Sequence, residues 1–227
     1  MSTLRSVLNF FGFSVCHQIP SKTYSAFGVP ICFCARCLGI YTAFFLVFTY
    51  YFGIKRAILG KHANNALPRG YYLFSFGLVV LMPLDVLFQA IGLYHSNTMR
   101  LITGLLFGFG MAQIILMLYV DIFRSGTKKV RQAIFSRLEF LIQLISIVFI
   151  ACIILFQNDY ILFGTSILAV LGLVMLGIVV HLIAFAIFSE FILKKKITRV
   201  SVPLFILAVV FVMGELAFLY FLHKTLV

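Results

Sequence analysis

Six long runs of apolar residues divide this chain, separated by short polar or basic stretches. They cover Ile31 to Phe52, Tyr71 to Ile91, about Arg100 to Ile122, about Leu138 to Phe156, Ile161 to Leu193 and about Val202 to Leu222. Each is near or above the roughly 20 residues that an α-helix needs to cross a hydrocarbon core. Open strands would leave backbone groups unpaired in lipid, and the runs are too long for barrel strands. The pattern predicts an all-α integral membrane bundle of about six transmembrane helices. Residues 1–15 are apolar but short and are interrupted by Arg5, Asn9 and Gly12. They predict an interfacial helix rather than a cleaved signal, since no small-residue cleavage site follows. The expected organisation is an outward-facing N-terminal segment over residues 1–30 and a six-span domain over residues 31–227.

Composition strengthens this reading. Hydrophobic residues make up 63% of the chain and charged residues 11%, with a mean hydropathy of +1.14. That leaves too little polar surface to cover a soluble core of this size.

The formal charge of +12 would suggest nucleic acid in a soluble protein. Here 13 of the 18 Lys and Arg residues fall in the stretches after the first, third and fifth runs. That alternation is a topology signal, and it places the basic loops in the cytoplasm. Residues 1–30, 92–99, 157–160 and the C-terminus then face outward from an inner or plasma membrane. Lipid is the expected partner and nucleic acid is not.

The candidate chemistry collects on the outward side. Cys16, Cys32, Cys34 and Cys37 fall within 22 residues, and His17 follows Cys16 directly. Cys34-Ala-Arg-Cys37 is a C-x-x-C pair whose thiols share one face if both are helical. Cys16, His17, Cys34 and Cys37 supply the four N/S ligands of a tetrahedral zinc site. Cys32 is a substitute if adjacent Cys16 and His17 cannot reach one ion. The same thiols suit a dithiol redox site, with Arg36 as a nearby positive charge, or structural disulfides. Packing as small hydrophobes is the remaining alternative, and lone Cys152 is read that way.

A second group lies on the next two runs. Asp85 and Gln89 are four apart beyond Pro83, so they share a face of a kinked helix. A carboxylate at that depth marks a function or a salt bridge, here to Arg100. Asn97, Arg100, Gly104 and Gly108 form a stripe on the third run. The two glycines suit close helix packing, and Asn97 and Arg100 suit an anionic headgroup or substrate. Glu215 is a further candidate. His181 and Glu190 read as helix contacts, and Asp121 and Glu139 are expected to pair with Arg124 and Arg137.

The string Cys16-His17-Gln18, followed by Cys34-Ala-Arg-Cys37-Leu-Gly39-Ile-Tyr41, resembles the signature of a bacterial and archaeal membrane-protein family of unknown function. Pro83, Asp85, Gln89, Asn97, Arg100, Gly104 and Gly108 extend the resemblance, which covers roughly residues 14–110. Cys32 is not part of that pattern. The resemblance implies a shared site but carries no reaction.

Three function classes follow. The first is a zinc-binding membrane protein, extending to a metal-dependent enzyme acting on a lipid, lipid-linked or small-molecule substrate. Asp85 would serve as its general base, with Gln89, Asn97 and Arg100 lining the pocket. The second is a thiol–disulfide oxidoreductase exchanging electrons with a membrane quinone through Cys34 and Cys37. The third is a transporter using Asp85 and Glu215.

Overall fold

The computed structural model describes residues 2–58, 69–124, 136–192, 194, 197 and 200–226. Helix α1 spans Ser2–Val15. A 3-10 turn at Pro20–Lys22 leads into a hairpin of β1 (Thr23–Ala26) and β2 (Val29–Cys34). Helix α2 (Ala35–Phe48) continues as a π-helical stretch, Thr49–Ile58. Helices α3 (Arg69–Ala90), α4 (Asn97–Arg124), α5 (Arg137–Leu155), α6 (Asp159–Phe191) and α7 (Val202–Leu226) complete the chain.

Among the described residues six helices are long and apolar enough to cross a membrane: Ala35–Ile54, Gly70–Ala90, Asn97–Phe123, Arg137–Leu155, Asp159–Phe191 and Val202–Leu226. The protein is a six-span helical membrane bundle, as the apolar runs predict. Most of the residues behind the sidedness expectation, among them Lys61, Lys128, Lys129, Arg131, Lys195, Lys196 and Arg199, lie outside the described residues.

The first span starts later than the apolar run implied. Residues 31–34 belong to β2, and the helix begins at Ala35. Phe27 and Gly28 both have positive φ, 54° and 72°. That is the backbone of a two-residue hairpin turn whose twist matches its strands. Ala26 therefore pairs with Val29, and the returning strand sets Thr23 opposite Cys34.

Helix α2 is the axis of the bundle, packed chiefly between α4 and α6. Leu38, Phe44, Val47 and Phe48 along it, and Tyr51 in the π-helical stretch that continues it, are at most 2% exposed. The crossings are close because glycines line them. A Cβ on Gly104 would lie 2.3 Å from the Arg36 carbonyl oxygen, and one on Gly108 would lie 2.4 Å from that of Ile40. On α6, a Cβ on Gly172 would lie 1.9 Å from the Tyr41 carbonyl oxygen. In lipid, where tails are as apolar as Leu, such close packing drives helix association. The Gly104–Gly108 stripe is thus a packing face, and its partner is α2.

Helices α3 and α7 lie on the outside. Only 17% of each apolar window is buried, against 56% for α4. Helix α1 rests on α7, where the Ser14 hydroxyl donates to the Leu216 carbonyl at 2.9 Å.

Three local details add to or change the expectations. Glu139 closes a capping box, its carboxylate accepting from the Ser136 N–H at 2.6 Å while its own N–H donates to Ser136 Oγ at 3.2 Å. This satisfies orphan donors at the start of α5. Cys152 is exposed on α5 rather than buried. Glu215 lies away from Asp85 and pairs across α6 and α7 with His181, Nε2 to Oε2 at 3.6 Å.

Candidate metal centre and the polar chain beside it

Three thiols meet where α2 begins. The sulfurs of Cys16, Cys34 and Cys37 all lie within 4.8 Å of one another. They are brought together by three local devices. The Cys16 N–H bonds to the Gly12 carbonyl at 2.9 Å, which extends the last turn of α1. Gln18 then takes a positive φ of 48° and turns the chain away. The hairpin returns it, so that Cys34 ends β2 and occupies the N-cap of α2, with Cys37 in the first helical turn.

Gln18 secures the junction. Its side-chain amide donates to the Cys32 carbonyl at 2.8 Å. Gly12 permits that approach, since a Cβ there would lie 2.0 Å from the same carbonyl oxygen.

The thiols interact as one group. Hydrogen bonds from the Cys16 and Cys37 thiols hold Cys34 far below the ordinary thiol range, helped by the first-turn backbone at Arg36 and Cys37. Cys16 is raised, chiefly because it donates to Cys34. The Cys34 backbone N–H donates to Cys16 Sγ at 3.3 Å. Such outer contacts orient and tune sulfur ligands.

This donor set fits a soft divalent ion. Sulfurs around tetrahedral zinc, with Zn–S of about 2.3 Å, sit about 4 Å apart. Cys16, Cys34 and Cys37 are the residues that would hold it.

His17 and Cys32 stand outside this cluster. His17 is exposed, and its ring lies 5.1 Å from that of His223 on α7. Where the chain leaves α1, Cys16 takes the inward position and His17 the exposed one. Cys32 is 3% exposed on β2. Burial pushes its thiol up to about 12, which makes it a neutral packing residue near Ser166.

Asp85, Gln89, Arg100 and Asn97 do come together, but with different partners from those expected. The ion-pair partner of Asp85 is Arg36, the residue between the two clustered cysteines, and not Arg100. Asp85 Oδ2 also accepts from Thr103 Oγ1 at 3.2 Å. Its Oδ1 accepts from Gln89 Nε2 at 2.7 Å and from the Tyr94 hydroxyl at 2.6 Å. Gln89 Oε1 in turn accepts from Arg100 Nε. Arg100 Nη1 donates to Asn97 Oδ1 at 3.3 Å, and Asn97 Nδ2 donates to the Ser21 carbonyl at 3.2 Å. One continuous chain thus runs from α2 through α3 and α4 to the turn before β1.

Burial makes these bonds necessary. Asp85 is 3% exposed, and Gln89 and Arg100 are 7%. An unmade bond at such depth costs the full desolvation of the group. Sequence reasoning placed Arg36 only beside the thiols, and it missed Tyr94 and Thr103. Thr103 lies one turn beyond Arg100, so helical spacing was an available signal. Tyr94 sits in a turn and left none.

These features define a six-span helical membrane protein with a three-cysteine cluster and a buried polar chain at one end of its bundle. Residues 16–114 match the model of a family described as a predicted membrane protein (DUF2085). That stretch contains every thiol of the cluster and every member of the polar chain. The chain is also similar to the uncharacterized protein MJ1492 of Methanocaldococcus jannaschii, with 34% identity over 110 residues, 47% of this chain. The match spans 65% of that archaeal protein's length. No solved structure matches.

Proposed function

We propose that this protein binds one soft divalent metal ion, zinc in the first instance, through Cys16, Cys34 and Cys37. The observation that carries the reading is the convergence within 4.8 Å of three sulfurs from two segments, Cys16 at the end of α1 and Cys34 and Cys37 at the start of α2. Thiolates select zinc and similarly soft ions over magnesium or calcium.

Among the described residues three thiols are gathered, which leaves a fourth position open, the pattern of catalytic rather than closed structural zinc sites. The reading therefore extends to a metal-dependent reaction on a lipid, a lipid-linked molecule or a small molecule at the outward surface. An ion with an open position supplies a Lewis acid there. The surrounding residues hold the frame. Asp85 has donors from α2, α3, α4 and the loop between α3 and α4 around it, Arg36, Gln89, Thr103 and Tyr94, which fix its carboxylate in place. Its role is to anchor Arg36, and through it the first turn of α2, against α3 and α4.

A thiol–disulfide exchange reading has its own support. Hydrogen bonds from two neighbouring thiols favour the ionised form of Cys34, and a thiol so favoured beside further thiols is the arrangement of an attacking sulfur.

One experiment separates them. The protein is purified in detergent without chelator, and bound metal and free thiols are measured together. About one zinc per chain, with three thiols shielded until chelation, supports the metal site. A metal-free protein with a reducible disulfide among these cysteines overturns it in favour of exchange chemistry.

A further inference from the structure

His17 remains unexplained by the thiol cluster, although it adjoins Cys16. Its neighbour is His223, near the end of α7 and 206 positions along the chain. His223 Nδ1 lies 2.7 Å from the Phe13 carbonyl oxygen. A carbonyl only accepts, so Nδ1 carries the proton and donates it. That tautomer leaves Nε2 as the nitrogen that can ligate an ion. A histidine that ligates a metal is usually held this way, with its other nitrogen donating to a carbonyl or carboxylate. The ring is further fixed by stacking on Phe13, with centroids 4.2 Å apart and planes 11° from parallel.

The spacing of the two imidazoles suits one ion. With Zn–N of about 2.0–2.1 Å and tetrahedral angles, two ligating rings hold their centroids about 5 Å apart. His17 and His223 are 5.1 Å apart, with planes at 60°. His17 is exposed and His223 half-buried, so the site is open to solvent.

We infer that His17 and His223 form a second, shallow site for a divalent transition-metal ion, from which the ion passes to the thiols beginning at Cys16. Two nitrogen ligands, with water completing the shell, bind weakly and exchange fast. Those are the properties required of a loading site. Consecutive residues place the donor and acceptor side by side: His17 on the outer site, Cys16 on the inner one. Transfer exchanges imidazole nitrogens for thiolate sulfurs, with the thiol protons released to water and no change of oxidation state. The transfer step rests on the metal reading of the thiols, whereas the histidine pair stands independently of it.

The test uses the full chain in detergent, stripped of metal and reduced. Zinc titration by calorimetry is expected to show two classes, one tight and one weak. His17→Ala and His223→Phe, the latter keeping an aromatic ring on Phe13, each remove the weak class and leave the tight one. Replacing Cys16, Cys34 and Cys37 by Ser removes the tight class and leaves the weak one. Loading of the thiols is followed with cobalt(II) by the rise of sulfur-to-metal charge-transfer absorbance. Both histidine variants are expected to slow it by about tenfold without changing its final amplitude. A weak class that survives both substitutions overturns the site. An unchanged loading rate overturns the relay. A His17→Ala variant that loosens the tight class instead makes His17 a fourth ligand of the thiol centre and overturns the pair. Failure of the cysteine variant to lose the tight class refutes the thiol reading and leaves the histidine site standing.

Discussion

Arg36→Met probes the link between the polar chain and the helix that carries the thiols. The Asp85 side chain is 2% exposed and that of Arg36 19%, so solvent screens the pair little. Removing the guanidinium leaves a buried carboxylate facing Gln89, Tyr94 and Thr103, all uncharged donors. At contact distance, with an effective dielectric of about 20, the lost attraction is about 4–5 kcal/mol. Breaking one side of a buried pair costs about 3–5 kcal/mol, and three surviving hydrogen bonds favour the lower end. The expected loss is about 3 kcal/mol, roughly a hundredfold in the folded-to-unfolded ratio. Asp85→Asn strands Arg36 instead and costs a similar amount. The double variant removes both charges and is expected to cost well under the sum. The assay is reversible unfolding of the metal-free protein in detergent, followed by circular dichroism across all four species. Single losses that add to within about 0.5 kcal/mol in the double variant would refute a coupled pair.

Four further outcomes follow from the packing and the thiols. Gly172→Ala puts a methyl group 1.9 Å from the Tyr41 carbonyl oxygen. It is expected to lower stability by about 1–3 kcal/mol, read as a fall in melting temperature; no change would mean that α2 and α6 separate freely. Gln113 Nε2 donates to Gln143 Oε1 at 2.8 Å between α4 and α5, both side chains buried. Either single change to Leu strands an amide and costs about 1–3 kcal/mol, while the double change is nearly neutral in the same unfolding assay. Serine at Cys16, Cys34 or Cys37 is expected to lower bound zinc severalfold by elemental analysis, whereas Cys32→Ser leaves the ion in place. Cys152, exposed on a lipid-facing helix and apart from the cluster, is expected to react with a membrane-permeant maleimide equally with and without metal, as mass spectrometry of the labelled peptides will show.

The sequence carried the span count because lipid imposes one rule everywhere: apolar residues for about 20 positions and backbone bonds closed within the helix. It also carried the region of the site. Charged and amide groups at the ends of consecutive spans must find one another, and Asp85, Gln89, Arg100 and Asn97 did. Packing at Gly104 and Gly108 was legible for the same local reason, a four-residue repeat on one helical face.

Tertiary structure decided which partner each group took. Asp85 pairs with Arg36 because the Gly104 contact sets the first turn of α2 against α4, beside the end of α3, and spacing along α3 and α4 alone cannot show that. The short hairpin over residues 23–34 was hidden because its second strand is as apolar as the span that follows. That hairpin carries Cys34 back to Cys16, and the turn at Gln18 sends His17 outward to His223. The residue types for a metal site were readable from the chain. Membership in the cluster was decided by where the backbone turned, through contacts between residues far apart in sequence.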